Sequence, residues 1–331
     1  MLEKRPLGSS DLSLTVLGIG TWAIGGSGWA YGWGAQNDSD SIQAIHSALD
    51  LGINWIDTAP VYGLGHAEEI VGKALQGRPD VIVATKCGLN WDSQKSVFGC
   101  LRPKNLRKEL EASLKRLKRD CIDLYQIHWP DPAGEIEDAW STLSKFVEEG
   151  KVRAIGVSNF SVKQMTRIAS IAPITSLQPP YNILRPEIER DILPHCQEHH
   201  IGVVAYSPMQ CGLLTGTWTH KRIHQLPDTD WRKTKNPSFQ EPELGANLQL
   251  VESLKGIAEE ENLTPAQLAI AWVLRNKVLT STIVGMRSKE QAENILSLKS
   301  WELNMNAFQA IETGIAQRIQ TLKLSKAQKP Q

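Results

Sequence analysis

A parallel (β/α)₈ barrel is the fold that three observations in this sequence predict. Short apolar runs rich in β-branched residues alternate with longer amphipathic stretches, and there are eight of the former within about 300 residues. No complete G-x-G-x-x-G follows an early strand: Gly18-Ile-Gly20 continues Thr-Trp-Ala, and Gly63-Leu-Gly65 continues His-Ala-Glu. That absence counts against the rival doubly wound sheet.

The expected strands are residues 15–20, 54–59, 81–86, 122–128, 152–159, 175–179, 202–207 and 280–285. Helical periodicity places helices over 39–51, 67–75, 105–117, 136–148, 162–169, 186–199, 265–275 and 289–298. Start signals accompany several of them. Ser39 precedes the first, Asn105 opens the third, Ser161 precedes the fifth, and Thr264-Pro265 precedes the seventh. Gly52, Gly150 and Gly202 punctuate helix-to-strand turns.

Further pieces lie outside the eight units. Residues 4–14 read as a hairpin turning at Gly8-Ser9-Ser10-Asp11, and 209–262 hold a polar insertion (219–245) followed by an extra helix (246–261). Residues 1–324 are expected to form one barrel domain and 325–331 a disordered tail. The segment 25–34, with five glycines and Trp29, Tyr31 and Trp33, reads as a mobile substrate flap. Unchanged Michaelis constants after deletion of residues 26–33 would count against that role.

Bulk properties narrow the function. Lys plus Arg equals Asp plus Glu at 36 each, so the charge balance suggests neither nucleic acid nor an anionic membrane as partner. No apolar run approaches membrane-spanning length, and the charged start Met1-Leu2-Glu3-Lys4-Arg5 lacks the apolar stretch of a signal peptide. The five cysteines (Cys87, Cys100, Cys121, Cys196, Cys211) are odd in number and form no C-x-x-C. Neither a zinc site nor a disulfide framework is therefore expected, and a reducing cytoplasm is. Tryptophan is over-used, eleven against five tyrosines. Trp55, Trp140 and Trp272 fall in apolar patterns and read as core; the others fall mostly in expected loops.

Barrel chemistry sits at the C-terminal ends of the strands. There the sequence places Asp57, with Tyr62 just beyond, then Lys86, His128, Ser158-Asn159, Gln178 and Tyr206-Ser207. A buried lysine needs a carboxylate, and Asp57 on the adjacent strand is the natural candidate. A tyrosine beside that lysine is expected to have its pKa lowered from about 10. Such a cluster with a histidine suits proton donation to a carbonyl oxygen.

These residues resemble the Asp, Tyr, Lys and His tetrad of the aldo-keto reductase family. The match runs through Asp57-Thr-Ala-Pro-Val-Tyr62-Gly, Lys86 and Ile122-Asp-Leu-Tyr-Gln-Ile-His128. Around it stand Gly20-Thr21-Trp22, Gly156-Val-Ser158-Asn159-Phe160, Gln178, Ala205-Tyr206-Ser207-Pro208 and Gly285-Met-Arg287-Ser-Lys-Glu-Gln291-Ala-Glu293-Asn294. The ordered set covers roughly residues 4–300 and most resembles the branch of bacterial stress-type and inositol-cluster reductases.

The resemblance implies an NADPH-dependent enzyme that reduces an aldehyde or ketone by hydride transfer, with Tyr62 as general acid and His128 orienting the carbonyl. NADPH would lie extended across the barrel mouth. Tyr206 would stack on the nicotinamide, while Ser158, Asn159 and Gln178 hold its carboxamide. Ser207, Met209, Gly212, Leu213 and Gly216 would line the pyrophosphate path, with Pro208 among them. Arg287 would meet the adenosine 2′-phosphate, with Gln291 and Asn294 near the adenine; Gly20, Thr21, Trp22, Gly285 and Glu293 complete the cofactor-side motifs. The planar fork of arginine suits phosphate, which favours NADPH over NADH. Trp22, Trp91 and Trp129 directly follow strands and are the expected pocket walls.

Two departures from the family pattern are His66, where a small residue is usual, and Trp129, which bears on pocket shape. Each tetrad residue also has a plainer reading, such as a surface lysine or a packed core histidine. The shared register of Asp57, Tyr62 and Lys86 weighs against it. Two other functions compete. An NADPH-binding regulatory subunit with little turnover is disfavoured by the intact tetrad. A metal-dependent barrel hydrolase needs clustered strand-end histidines, and only His128 stands there. A small carbonyl substrate, a monomer and no metal are expected.

Overall fold

The computed structural model describes residues 2–298 and 300–327. Twelve strands occur among them: β1 (Lys4–Pro6), β2 (Ser13–Thr15), β3 (Leu17–Gly20), β4 (Trp55–Asp57), β5 (Ile82–Cys87), β6 (Leu89–Trp91), β7 (Val97–Gly99), β8 (Ile122–Ile127), β9 (Val152–Ser158), β10 (Ser176–Gln178), β11 (Gly202–Ala205) and β12 (Leu279–Gly285). Eight of them close a barrel in the order β10-β11-β12-β3-β4-β5-β8-β9, with every neighbouring pair parallel. Each expected barrel strand is present: six are shorter than expected, Ile82–Cys87 is shifted by one residue at the same length, and Leu279–Gly285 begins one residue earlier.

The helices are α1 (Asp38–Asp50), α2 (His66–Ala74), α3 (Pro103–Leu117), α4 (Ile136–Glu148), α5 (Val162–Ile168), α6 (Ile192–Glu198), α7 (His220–His224), α8 (Trp231–Lys235), α9 (Glu243–Glu260), α10 (Pro265–Leu274), α11 (Lys289–Leu296) and α12 (Met305–Ala327). Several boundaries correct the expectation. Asn37, not Ser39, caps α1: its side chain accepts from Ser39 N at 2.8 Å and Asp40 N at 3.2 Å. α3 starts at Pro103, as a first-turn proline prefers, and Asn105 instead donates to Glu109 at 2.6 Å. The stretch 186–199 is not one helix. Pro194 has no N–H to give and is tolerated only in a first turn, so α6 begins at Ile192 behind an Asp191 cap.

Several elements escaped the periodicity, among them the β6–β7 hairpin, the short helices α7 and α8, and α12. The β6–β7 hairpin is held by Asp92, whose carboxylate accepts from Gln94 N and Ser96 N. α12 runs through Ala327, three residues into the stretch 325–331 expected as a tail, and the expectation for 328–331 lies outside the described residues.

Ser161 and Thr264 both form reciprocal capping boxes, with Gln164 and Gln267. Ser161→Ala is expected to lower unfolding free energy by about 1 kcal/mol in urea titration.

The barrel interior is a layer of Trp55, Ala84, Leu124, Ala154, Val204 and Ile283. Leu7, Leu12 and Leu14 of the β1–β2 hairpin join it and plug the N-terminal end. Trp55 fixes the packing there. Its indole donates to Thr15 O and Ser281 Oγ, both at 3.1 Å. It lies so close to Gly18 that a Cβ at that position would sit 2.0 Å from the ring. A second apolar shell, including Trp140, Phe146 and Trp272, packs helices onto the outer barrel face. With one end plugged by apolar side chains, polar side chains at the strands' C-terminal ends converge on the open mouth. Among the described residues no helix is long and apolar enough to cross a membrane.

Candidate active site

Asp57 ends β4, Lys86 stands one residue before the end of β5, and parallel pairing of these strands faces their side chains inward together. Lys86 Nζ lies 2.6 Å from Asp57 Oδ2, 3.0 Å from Thr58 O and 3.3 Å from Tyr62 OH. The lysine is fully buried and Asp57 nearly so. Burial pushes the Lys86 pKa down, and the Asp57 carboxylate pulls it back. Gln178 at the end of β10 donates to the other carboxylate oxygen, Oδ1, at 2.8 Å. Asp57 is therefore gripped from both sides and cannot swing away from the lysine.

Tyr62 sits in the loop after β4. Gly63 follows with φ of 63°, and a Cβ there would meet Gly25 O at 2.4 Å, so the two loops touch backbone to backbone. The expectation of a lowered tyrosine pKa is corrected. Burial and then the Asp57 charge hold it well above the usual 10.0. The physical reason is that Lys86 is closer to Asp57 than to the phenol, so its charge is largely answered before it reaches the ring. The phenol is thus held protonated, which is the form a proton donor needs.

His128 follows β8, with its ring edge-on to Tyr62 at 5.9 Å between centroids. Burial, followed by the Lys86 charge, holds its pKa well below 6.5. Below pH 6.5 the unfolded chain takes up a proton that folded His128 refuses. The stability from this residue is therefore fully present above that value and declines as pH falls through it. In urea titrations His128→Gln should lose less stability than wild type on acidification; an equal loss would contradict the depressed pKa.

The remaining strand ends form a polar floor. Ser158 Oγ donates to Gln178 O at 2.9 Å, and Asn159 Nδ2 donates to Ser158 Oγ and His128 O, both at 3.0 Å. Tyr206 OH donates to Asn159 Oδ1 at 2.8 Å. Asn159, Ser207, Gln210 and Cys211 all hold positive φ, between 45° and 62°. Left-handed non-glycine residues gathered in one place mark a backbone constrained by its surroundings, a feature common at functional sites.

The cleft above this floor has a volume of about 1660 Å³. It reaches from the tetrad past Tyr206, Ser207, Pro208, Met209 and Gly212 to Gly285, Arg287, Gln291 and Asn294. Gly20, Thr21 and Trp22 line it on the β3 side. Three expected cofactor residues do not line it. Leu213 is fully buried in the apolar core. Gly216 faces Lys255 and Pro265, and Glu293 is half-exposed and 3.7 Å from Lys289 on the outer face of α11.

Of the three expected pocket tryptophans, Trp22 and Trp129 line the cleft and Trp91 does not. Trp91 ends β6 opposite Val97, at the turn of the hairpin, which carries it away; Leu89, Val97 and Phe98 face the cleft instead. Trp22 lies parallel to Tyr62, 6.1 Å between centroids and 10° between planes. Trp29, Trp33 and Trp231 gather round it at 6.4, 6.0 and 5.5 Å. The 25–34 segment thus covers Tyr62, tied by Trp22 Nε1 to Tyr31 O at 2.9 Å and by Trp231 N to Gly32 O at 3.2 Å.

The inserted region 219–245 supplies more of this wall than its polarity suggested. Arg232 is clamped on Asp230 at 2.6 Å and stacks on both Trp33 and Trp218, 4.9 Å from each ring centre. Arg232 was not expected at the site, and Trp231 was read only as one of the loop tryptophans; the tryptophan excess was the signal that pointed toward the latter. Cys87 is buried, and burial holds its thiol pKa well above the usual 9.0.

The cleft fits an extended dinucleotide in shape and chemistry. Amide and hydroxyl groups stand at the tetrad end, the Tyr206 ring lies beside them, and a cationic guanidinium stands at the far end.

A model of the aldo/keto reductase family matches residues 16–315. The chain is 37% identical over 316 residues to aldo-keto reductase YhdN of Bacillus subtilis (strain 168), covering 94% of this chain and 93% of the relative. It is 34% identical over 313 residues to the NADH-specific methylglyoxal reductase of Escherichia coli (strain K12), covering 90% and 94%. The solved glycerol dehydrogenase of Gluconobacter oxydans superposes with a TM-score of 0.85 at 39% identity over 96% of each chain.

Proposed function

Because the chain belongs to the aldo/keto reductase family, we propose that it reduces a small aldehyde or ketone to the alcohol, with NADPH as reductant and Tyr62 as acid. The observation that carries this reading is the placement of one buried ammonium, Lys86 Nζ, within reach of both Asp57 Oδ2 and Tyr62 OH at the cleft floor. When bound, the reduced nicotinamide supplies the hydride that adds to the carbonyl carbon.

The chain's own residues do the rest. Tyr62 OH gives its proton to the carbonyl oxygen as negative charge grows there. Lys86 stabilises the phenolate left behind, and Asp57 keeps Lys86 charged against its burial. His128, held neutral, offers a ring N–H to the same oxygen and fixes which way the carbonyl points. Ser158, Asn159 and Gln178 orient the carboxamide of the nicotinamide, and Tyr206 packs against its ring. Trp22, Trp29 and Trp231 exclude water from the reacting atoms.

NADPH is favoured over NADH through Arg287, the cation at the adenosine end. One relative is named NADH-specific, so the preference rests on that arginine and not on family membership. Relatives named for methylglyoxal and for glycerol point to a small carbonyl compound. The same proposal treats residues 1–324 as one catalytic domain of the stress-type and inositol-cluster branch, a monomer working in a reducing cytoplasm. The five free cysteines are consistent with the last of these.

The test is consumption of NADPH, and separately of NADH, by the purified protein with a panel of small aldehydes. Aldehyde-dependent oxidation faster with NADPH supports the proposal. Tight NADPH binding without turnover on any aldehyde would replace it with a nucleotide-sensing role.

A further inference from the structure

Arg287 is tied to the loop that covers the active site. Its Nε donates to Gln36 Oε1 at 2.6 Å and its Nη2 to Ala35 O at 2.8 Å, while Gln36 Nε2 donates back to Arg287 O at 2.9 Å. On the other side, Arg287 N donates to Gln291 Oε1 at 2.9 Å. The result is a closed ring of hydrogen bonds between the end of the 25–36 segment and the start of α11. It lines a depression of about 570 Å³ beside Asn37, Asp40 and Gln291.

The tie uses one edge of the guanidinium only. Gln36 and Ala35 occupy Nε and one N–H of Nη2, leaving Nη1 and the other N–H of Nη2 as an outward fork. Both acceptors are neutral, so the positive charge stays uncompensated by them. A free arginine at a cleft rim samples many rotamers, and a ligand must freeze them on binding. Here they are frozen beforehand. The free fork matches two oxygens of a phosphate, and the retained charge suits a dianion. A carboxylate in place of the Gln36 amide would hold the same geometry but cancel the charge. Asp40 already contributes one carboxylate to this wall, so a second would weigh further against an anion.

We propose that Gln36 is a positioning residue for cofactor selectivity: it holds Arg287 so that the fork, not the whole side chain, receives a 2′-phosphate. This rests on the proposed use of a nicotinamide dinucleotide and deepens it, because it names the residue outside the matched motifs that sets how strongly the phosphate is read.

The test is equilibrium binding of 2′,5′-ADP and of 5′-AMP to wild type, Gln36→Ala and Gln36→Glu, by calorimetry, with thermal unfolding confirming that each variant is folded. The two nucleotides differ only in the 2′-phosphate, so their affinity ratio isolates it. Wild type should bind 2′,5′-ADP more tightly. Gln36→Ala should weaken 2′,5′-ADP about three- to tenfold, the factor for re-ordering one long side chain, and leave 5′-AMP within about twofold. Gln36→Glu should weaken 2′,5′-ADP more than about tenfold and again spare 5′-AMP.

Tighter or unchanged 2′,5′-ADP binding in Gln36→Ala would overturn the proposal, since the tie would then compete with phosphate or be irrelevant to it. Equal weakening of both nucleotides would overturn it in favour of general loop support. Wild type that binds 5′-AMP but gains nothing from the 2′-phosphate would remove the phosphate role alone. Wild type that binds neither would remove the dinucleotide reading on which it stands.

Discussion

Tyr62→Phe is expected to lower turnover by about 10²- to 10⁴-fold while leaving cofactor binding intact, the range for losing one positioned proton donor. The substitution deletes one oxygen from a buried ring. That ring keeps its parallel contact with Trp22 and its edge contact with His128. Lys86 loses its 3.3 Å neighbour but keeps Asp57 and Thr58 O. Stability should therefore move little. A variant that kept near wild-type turnover would show that water or His128 delivers the proton.

The second large effect is expected from Lys86→Met. Removing one partner of a buried ion pair strands the other, at about 3–5 kcal/mol. Asp57 would retain the Gln178 amide at 2.8 Å, which softens that cost without removing it. Activity should fall as well, because nothing would remain to stabilise the phenolate of Tyr62. The double variant Asp57→Leu/Lys86→Met separates the two consequences. Replacing a buried pair by apolar residues is often neutral for stability, so it should regain most of the folding free energy and none of the turnover. Urea titration and aldehyde-dependent cofactor oxidation on the three proteins measure both. Recovery of turnover in the double variant would remove the pair from the chemistry.

The barrel was legible because its physics is periodic. Strands buried on both faces read as apolar runs, and helices between them read at helical spacing. The tetrad was legible because a barrel presents its strand ends at one rim, so Asp57, Lys86 and His128 could be placed from strand boundaries alone. The direction of the Tyr62 shift was not legible. It depends on the competition between a lysine at 3.3 Å and the loss of solvent, and only coordinates supply both. Trp231 and Arg232 belong to a segment that reads as polar and featureless. They reach the site because Trp231 N bonds to Gly32 O, a contact across some two hundred residues that no local pattern encodes. Trp91 was misplaced for the converse reason: following a strand says nothing of a hairpin that then turns away. α12 lay beyond the eight repeating units, where the template offered no guide. It is anchored from Arg318 Nε to Asn247 Oδ1 at 2.6 Å.

The central claim is that Tyr62 delivers the proton in a reduction carried out at this cleft. It is tested most directly in a single turnover, with wild type and Tyr62→Phe each preloaded with NADPH and mixed rapidly with a small aldehyde. Cofactor binding is followed by fluorescence and its oxidation by loss of absorbance. The account predicts equal binding signals, with oxidation that is rapid in wild type and slower by at least about a hundredfold in Tyr62→Phe. Oxidation at equal rates in the two proteins would contradict it.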